Sequence, residues 1–283
     1  IHDMGHGPFS HLFDDLTNSQ HELRSIEIFK YINVKYTLNY SEDDIKFITD
    51  VLIPIDDLIE NRHKYLYQIV SNKNGMDVDR MDYIMRDIYM IGLNYGIEYD
   101  RIMKGSVIRD NNIVFYEKVR TPVEDFYRVR YNLYKDVYNH SAVRAIEYMI
   151  KEILSLCDTE FKLKEIINNK NWDEFIQIND SIINYISYIN SNNDNIIKAK
   201  QIINNIHSRK LYKLLGEIQT HTKIKIDPIY ENKYIIDNCN ISYYNNNKPY
   251  FINSNVKQII SSTQNKLTTN NLHLIKIYYK DGK

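Results

Sequence analysis

From residue 1 to about residue 215 apolar positions recur at helical spacing, and beyond that point they alternate with polar ones. The first pattern predicts a mainly α body over 1–215, and the second predicts a small C-terminal α+β lobe over 216–283. In "SEDDIKFI", Ser41 precedes an acidic turn and an apolar run, which predicts an N-cap with Asp44 closing a capping box. "HKYLYQIVSN" and "DVDRMDYIMRDIYMIG" read as further helices, the second stopped by Gly92. Val78, Met81, Met85 and Ile88 form an apolar stripe on that second helix, which predicts its core-facing side. "GSVIRDNNIVFYEK" departs from the helical period: β-branched and aromatic runs flank Asp110-Asn111-Asn112, as in a small hairpin. A long helix is expected over about 122–156, with Thr121 as its cap and Pro122 in its first turn. Two more are expected over about 172–190 and 195–207, around a polar hinge near 190–195. Beyond "KLYKLLGEI", the segments "KIKIDPIY", "KYIIDNCNISYY" and "HLIKIYYKD" are short, alternating and β-prone.

Composition narrows the function classes. A chain of 283 residues, 43% hydrophobic and 26% charged, can bury a sizeable core. A formal net charge of -1 gives no general attraction for nucleic acid or an anionic membrane. Two cysteines, Cys157 and Cys239, are too few for a disulfide framework or a cysteine-type zinc site. No apolar run approaches the roughly 20 residues that span a bilayer. An intracellular setting, cytoplasmic or nuclear, is expected.

The chemistry concentrates in "IHDMGHGPFSH" and in two polar rows. His2, Asp3, His6, His11 and His21 fall in one short window. Imidazole and carboxylate together suit a divalent ion such as zinc, iron, manganese or magnesium. Adjacent ligands converge only at a helix terminus or kink, and Gly5, Gly7 and Pro8 supply such a break. Further on, Asp79, Tyr83 and Asp87 stand at i, i+4 and i+8, beside Arg80. Arg130, Tyr134 and Tyr138 repeat the spacing and are followed by Asn139 and His140. With 25 tyrosines in the chain such rows also arise by chance, so a solvated polar face remains the competing explanation for each.

The string "HDMGHGPFSHLFD", the following "HE" at His21-Glu22 and the distant "YLYQIVSNKNGMDVDRMDYIMRD" together resemble the HD-domain deoxynucleoside triphosphate triphosphohydrolases. The likeness is to the eukaryotic branch that joins a sterile alpha motif to the HD domain. It implies an HD-domain helical bundle and a catalytic metal held by an upstream His, the HD pair and a distant Asp. Here the pair is His2 and Asp3 and the distant carboxylate is Asp79. The fourth ligand would precede Ile1, so the chain reads as N-terminally truncated. If these ligands share an ion at about 2 Å, their donor atoms should lie within roughly 3–5 Å of one another. The resemblance assigns His6, Asp14 and His21 to activation of water, and His11 to the α-phosphate and leaving side. It places Arg80, at a family lysine position, and Arg130 on the phosphates. Tyr83 and Asp87 fall at the sugar, with the carboxylate receiving the 3′-hydroxyl, and Tyr138 packs on the deoxyribose. Tyr134 replaces a family His and Asn139 a family Gln near the base.

The implied reaction is hydrolysis of dNTPs, as by a dGTPase, to deoxynucleoside and inorganic triphosphate. Implied partners are nucleoside triphosphate effectors and further copies of the chain, in a tetramer. Arg101, Lys118, Arg209, Leu211 and Lys213 match effector positions. In "RKLYK", two cations four residues apart would share one helical face. Two other readings stand beside this one. One is another HD-type nucleotide phosphohydrolase or phosphodiesterase. The other is an inactive nucleotide-binding remnant that lacks the first ligand.

Overall fold

The structure is a computed structural model and describes residues 1–53, 63–221, 234–244, 248–252, 259–261 (backbone only) and 272–280. The N-terminal stretch is a series of tight turns, closed by Met4 N–H to Ile1 O and His6 N–H to Asp3 O, each 3.1 Å. It leads into α1 (His11–Thr17) and α2 (His21–Lys35). Next come α3 (Glu42–Leu52), α4 (Lys64–Val70), α5 (Val78–Ile91) and α6 (Tyr99–Lys104). Ser41 caps α3 through the expected capping box with Asp44. Gly92, at φ 75°, ends α5 in the left-handed conformation that glycine adopts without cost.

The hairpin follows as β1 (Ser106–Arg109) and β2 (Asn112–Tyr116). Its turn is Asp110-Asn111, both at positive φ, while Asn112 already pairs with Arg109. The hairpin does not stand alone. Strand β5 (Tyr250–Ile252) adds parallel to β2, and β6 (Ile259–Ser261) pairs with β5. A second sheet has the order β3-β7-β4, from Lys213–Thr220, Leu272–Tyr279 and Tyr234–Ile241. The chain is thus mainly α with a small C-terminal α+β part. The stretch "KIKIDPIY" lies outside the described residues.

Four expectations are corrected. The long helix over 122–156 is instead α7 (Arg120–Asn132), a π-helical turn at Leu133–Tyr138, and α8 (Ser141–Phe161). The break has local and distant causes. Asn139 turns both its N–H and its side-chain amide onto Tyr134 O, and Lys276 of β7 takes the Asn139 carbonyl that would otherwise continue the helix. His140, in extended conformation, then caps α8. At the other end Val119, without a side-chain cap, precedes α7, and Pro122 sits in its first turn.

Second, the helix over 172–190 divides into α10 (Trp172–Phe175) and α11 (Ile182–Tyr188), after the short α9 (Leu163–Asn168). Asn179 and Ser181 form a side-chain turn between them, and Asp180 is drawn away to accept Phe9 N–H at 2.8 Å. Third, α5 buries Ile84 and Ile88, whereas Val78 and Met85 are exposed. Met81 and Ile88 face the core as expected, and Ile84 takes the inner place expected of Met85. Fourth, α12 (Asp194–His207) ends before "RKLYK". Arg209 has φ 59° and Lys213 opens β3, so those cations share no helical face.

Two packed clusters position the site. One joins α1, α2 and α8 to the later helices through Phe13, Ile28, Leu154 and Trp172. The other joins α5, α6, β2 and α7 through Ile84, Ile102, Phe115 and Phe126.

Candidate active site

The N-terminal turns dock on α2 through a backbone approach that only glycine permits. A Cβ at Gly5 would lie 2.0 Å from His21 O and 2.6 Å from Ser25 N. Gly5 N–H donates to Ser25 Oγ at 2.8 Å, and that hydroxyl donates to His2 O at 2.7 Å. Phe9 and Ser10 both take positive φ, which swings the chain from the turns into α1. The result gathers side chains that a continuous helix would have spread around its axis.

His2, Asp3 and Asp79 converge. They offer ligand atoms within 4.8 Å of one another, and His2 Nδ1 lies 3.0 Å from Asp3 Oδ1 and 3.7 Å from Asp79 Oδ1. The partner element arrives by its own local chemistry: Asp77 caps α5 by accepting Arg80 N–H, which places Asp79 in the first turn. Burial raises the Asp79 carboxyl above its ordinary value. The hydrogen bond from His2, followed by that from His6, holds Asp3 well below the usual carboxylate range. His2 is raised chiefly by its bond to Asp3. Carboxylate and imidazole donors crowded together, one carboxylate short of solvation, fit a divalent cation.

A second group adjoins it. His6, His11, Asp14 and His21 also bring ligand-type atoms within 4.8 Å of one another. His21 Nδ1 is 2.7 Å from Asp14 Oδ2, and His11 Nδ1 is 3.6 Å from the same oxygen. The His6 and His21 rings stack at 3.9 Å between centroids, and His6 Nε2 lies 3.5 Å from Asp3 Oδ1, which ties the two groups together. Glu22 stands 3.4 Å from His21 Nε2. His11 is 78% exposed, so its ring is open to a bound molecule.

The two polar rows meet at the other end. Tyr138 O–H donates to Asp87 Oδ2 at 2.5 Å, and the Tyr83 and Tyr134 hydroxyls are 3.4 Å apart. Tyr134 and Tyr138 pack edge to face, and the Arg130 guanidinium lies over the Tyr134 ring at 4.8 Å. Burial drives the Tyr83 and Tyr138 hydroxyls well above the ordinary tyrosine range. Arg80 is paired with Asp77. Arg130 is buried, donates to Ser242 O at 3.0 Å, and has its Nε buried without a partner. Asn139 is buried on the far side of the π turn, its side-chain amide on Tyr134 O at 2.7 Å.

Of the remaining sequence candidates, Arg101 and Lys118 come together: the Arg101 guanidinium donates to Lys118 O at 3.2 Å and pairs with Glu98 at 3.0 Å. Arg209, Leu211 and Lys213 lie in the turn after α12 and at the start of β3. Sequence reasoning missed Asp77, Ser25 and Arg24. The signal for Arg24 was present. A cation in "HELRSIEIF", four residues before Ile28, stands on the buried face of an amphipathic helix.

No family model matches the chain. A deoxynucleoside triphosphate triphosphohydrolase SAMHD1 homolog of Dictyostelium discoideum is 35% identical over 235 residues, 78% of this chain and 44% of that protein. The putative HD domain-containing protein L394 of Acanthamoeba polyphaga mimivirus is 38% identical over 243 residues, 77% of this chain and 51% of its own length. Over 77–78% of its length the chain is thus similar to HD-domain dNTP triphosphohydrolases. The SAMHD1 enzyme of Gallus gallus is 29% identical over 273 residues, 82% of this chain and 44% of that protein. The chain spans about half the length of these relatives. Among the described residues, no helix is long and apolar enough to cross a membrane.

Proposed function

We propose that the protein containing this chain hydrolyses dNTPs at the α-phosphorus, releasing deoxynucleoside and inorganic triphosphate. One observation carries the reading: the His2–Asp3–Asp79 group adjoins the His6–His11–Asp14–His21 group, and Asp79 shares a helical row with the sugar-end pair Tyr83 and Asp87. A metal centre, a proton-handling group and a carboxylate-tyrosine wall are the three parts that this reaction needs.

His2, Asp3 and Asp79 would hold the metal, whose identity among zinc, iron, manganese and magnesium the donor set leaves open. When bound, the ion supplies positive charge to the α-phosphoryl oxygens and makes a water more acidic. His21, its Nδ1 proton pinned on Asp14, accepts a proton at Nε2 from the attacking water, with His6 stacked beside it. Glu22 then stabilises the imidazolium. His11, exposed beside the group, donates a proton to the 5′-oxygen as the phosphorus–oxygen bond breaks. Arg80 and Arg130 balance triphosphate charge. Asp87 receives the 3′-hydroxyl, and Tyr138, bonded to Asp87, closes the space that a 2′-hydroxyl would occupy. Tyr134 and Asn139 line the base side.

Regulation belongs to the same reading. Nucleoside triphosphate effectors would bind at Arg101 and Lys118 of one copy and Arg209, Leu211 and Lys213 of another, in a homo-oligomer that the family resemblance makes a tetramer. The adjacency of Arg101 and Lys118 supports a phosphate grip. Both cysteines are free, in keeping with an intracellular location.

The test incubates the purified full-length protein with each dNTP and a divalent metal and resolves the products. Deoxynucleoside with triphosphate is expected. Release of pyrophosphate or single phosphate would move the protein to the nucleotide phosphodiesterases or nucleotidases. Nucleotide binding without turnover would make it a sensor.

A further inference from the structure

The chain breaks at Asn139-His140 although its helical period runs on through 122–156. In a continuous α-helix the Asn139 carbonyl would accept from Val143 N–H. Here it accepts from Lys276 Nζ, on β7, the central strand of the second sheet. Two positions further along the same face of β7, the Tyr278 hydroxyl donates to Ser141 O at 3.2 Å. One strand thus grips two carbonyls, one on either side of His140. Both side chains are buried, Lys276 with 3% exposure and Tyr278 with none.

Lys276 is the only buried lysine among the described residues. A buried ammonium is costly unless it is paired and hydrogen-bonded. Its neighbours are arranged so that it serves the break. Glu217 of β3 and Asp237 of β4 stand directly opposite it in the sheet. Asp237 is taken by the Arg144 guanidinium, through Nε at 2.9 Å and Nη2 at 2.8 Å, and by Tyr148 O–H at 2.9 Å. Glu217 Oε2, at 3.6 Å, balances the charge but is too far for a hydrogen bond. The Asn139 carbonyl is left as the near acceptor.

The break bears on the substrate wall. The π turn Leu133–Tyr138 ends one residue before Asn139, and its last residue, Tyr138, donates to Asp87 Oδ2 at 2.5 Å. A π turn accommodates one residue more than the α-helix does. If the Asn139 carbonyl took up the helical bond, the turn would give up that residue, and side chains at its end would swing by about 100° around the axis. Tyr138 would then leave Asp87.

We propose that Lys276, assisted by Tyr278, is a positioning residue for substrate selection: from the C-terminal sheet it holds the chain open at Asn139, keeps Tyr138 on Asp87, and so sets the discrimination between deoxy and ribo substrates. The proposal rests on the dNTP-hydrolysis reading for the identity of the substrates and not for the contact itself.

The experiment compares the full-length protein with Lys276→Met, which keeps the apolar stem and drops the donor, and with Lys276→Arg, which keeps a cationic donor. In 13C NMR of ring-labelled tyrosine, with the Tyr138 signal assigned through Tyr138→Phe, Lys276→Met should shift that signal and Lys276→Arg should leave it near its wild-type place. In kinetics, Lys276→Met should narrow the gap in kcat/KM between dNTP and NTP by about 10-fold, within the range of about 5- to 150-fold for loss of the wall itself. Lys276→Arg should recover most of the gap. Added to Tyr138→Ala, Lys276→Met should narrow it no further, because both act through one side chain. Should Lys276→Met not fold, Tyr278→Phe, which drops only the donor to Ser141 O, carries the same test with a narrowing of about 2- to 10-fold. If both substrates lose rate in step and the gap keeps its width, Lys276 is a structural staple and the proposal is overturned. An unmoved Tyr138 signal in Lys276→Met, or a narrowing that adds to that of Tyr138→Ala, overturns it equally. Should wild type not hydrolyse dNTPs, the proposed function fails, while the Tyr138 signal still decides whether Lys276 positions that residue.

Discussion

At the His/Asp end of the site, His2, Asp3, His6, His11, Asp14 and His21 all come from the first 21 residues, and Asp79 arrives from a distance. At the tyrosine end no group has a near neighbour in sequence from the opposite wall: Tyr83 meets Tyr134 and Asp87 meets Tyr138 across 51 positions. The first end is stiffened by backbone contact, with Gly5 pressed on α2 and Arg24 stapling three segments. The second end is held by side-chain hydrogen bonds and by a π turn whose shape depends on Lys276 from the C-terminal sheet. A local, rigid construction suits the bond-breaking chemistry, which tolerates little displacement. A construction assembled from three distant segments suits substrate selection, because the Tyr134–Tyr138 wall can be altered without touching His2, Asp3 or Asp79.

Substitutions at the two ends should therefore fail differently. Asp79→Ala removes one of the three proposed metal ligands and should abolish turnover on every substrate, with loss of bound metal measured in parallel. Retained turnover would break the assignment of that end. Gly5→Ala forces a Cβ onto the backbone of α2. It should lower stability by about 1–3 kcal/mol, as overpacking does, and depress kcat on all substrates alike, read by thermal unfolding and steady-state kinetics. A variant of normal activity would show that the docking of the turns does not set the geometry.

The tyrosine end should lose selectivity before it loses rate. A buried 2′-hydroxyl without a partner costs roughly 1–3 kcal/mol, or about 5- to 150-fold in discrimination. Tyr138→Ala should therefore narrow the gap in kcat/KM between dNTP and NTP by a factor in that range, whereas Tyr138→Phe, which keeps the wall and drops only the bond to Asp87, should preserve most of it. Equal loss on both substrates in the Ala variant would make Tyr138 a packing residue.

The smallest effect concerns pH. The folded-state value of Asp14 is depressed by His21 and Arg24, so its contribution to stability is full above the ordinary carboxylate value and is lost as pH falls through the depressed one. The difference in melting temperature between wild type and Asp14→Asn should hold above about pH 4 and close below it. A difference that persisted into strong acid would separate Asp14 from this network.

The contrast also explains what could be read in advance. Ligand types and spacing in "HDMGH", the capping box at Ser41 and the stop at Gly92 are local signals, and each appears in the fold as its own chemistry requires. The break after Tyr138 was not legible, because the group that takes the Asn139 carbonyl lies 137 positions away. The inner face of α5 was misread because Met85 and Val78 are apolar yet exposed, and periodicity cannot tell a buried stripe from one that faces outward. "RKLYK" has helix-forming residues but opens at positive φ on Arg209, so local propensity yielded to the strand pairing of Lys213 with Tyr279. The union of Asp87 with Tyr138 was within reach only as two separate rows. Which rows face each other is a tertiary fact.

The measurement that bears most directly on the central claim follows the oxygen atom. With the full-length protein, a dNTP and a divalent metal in 18O-enriched water, attack at the α-phosphorus should place one 18O in inorganic triphosphate and none in the deoxynucleoside, detected by mass spectrometry. Label in pyrophosphate or orthophosphate, or a labelled 5′-hydroxyl on the nucleoside, would mean that water attacks a different atom and would contradict the account.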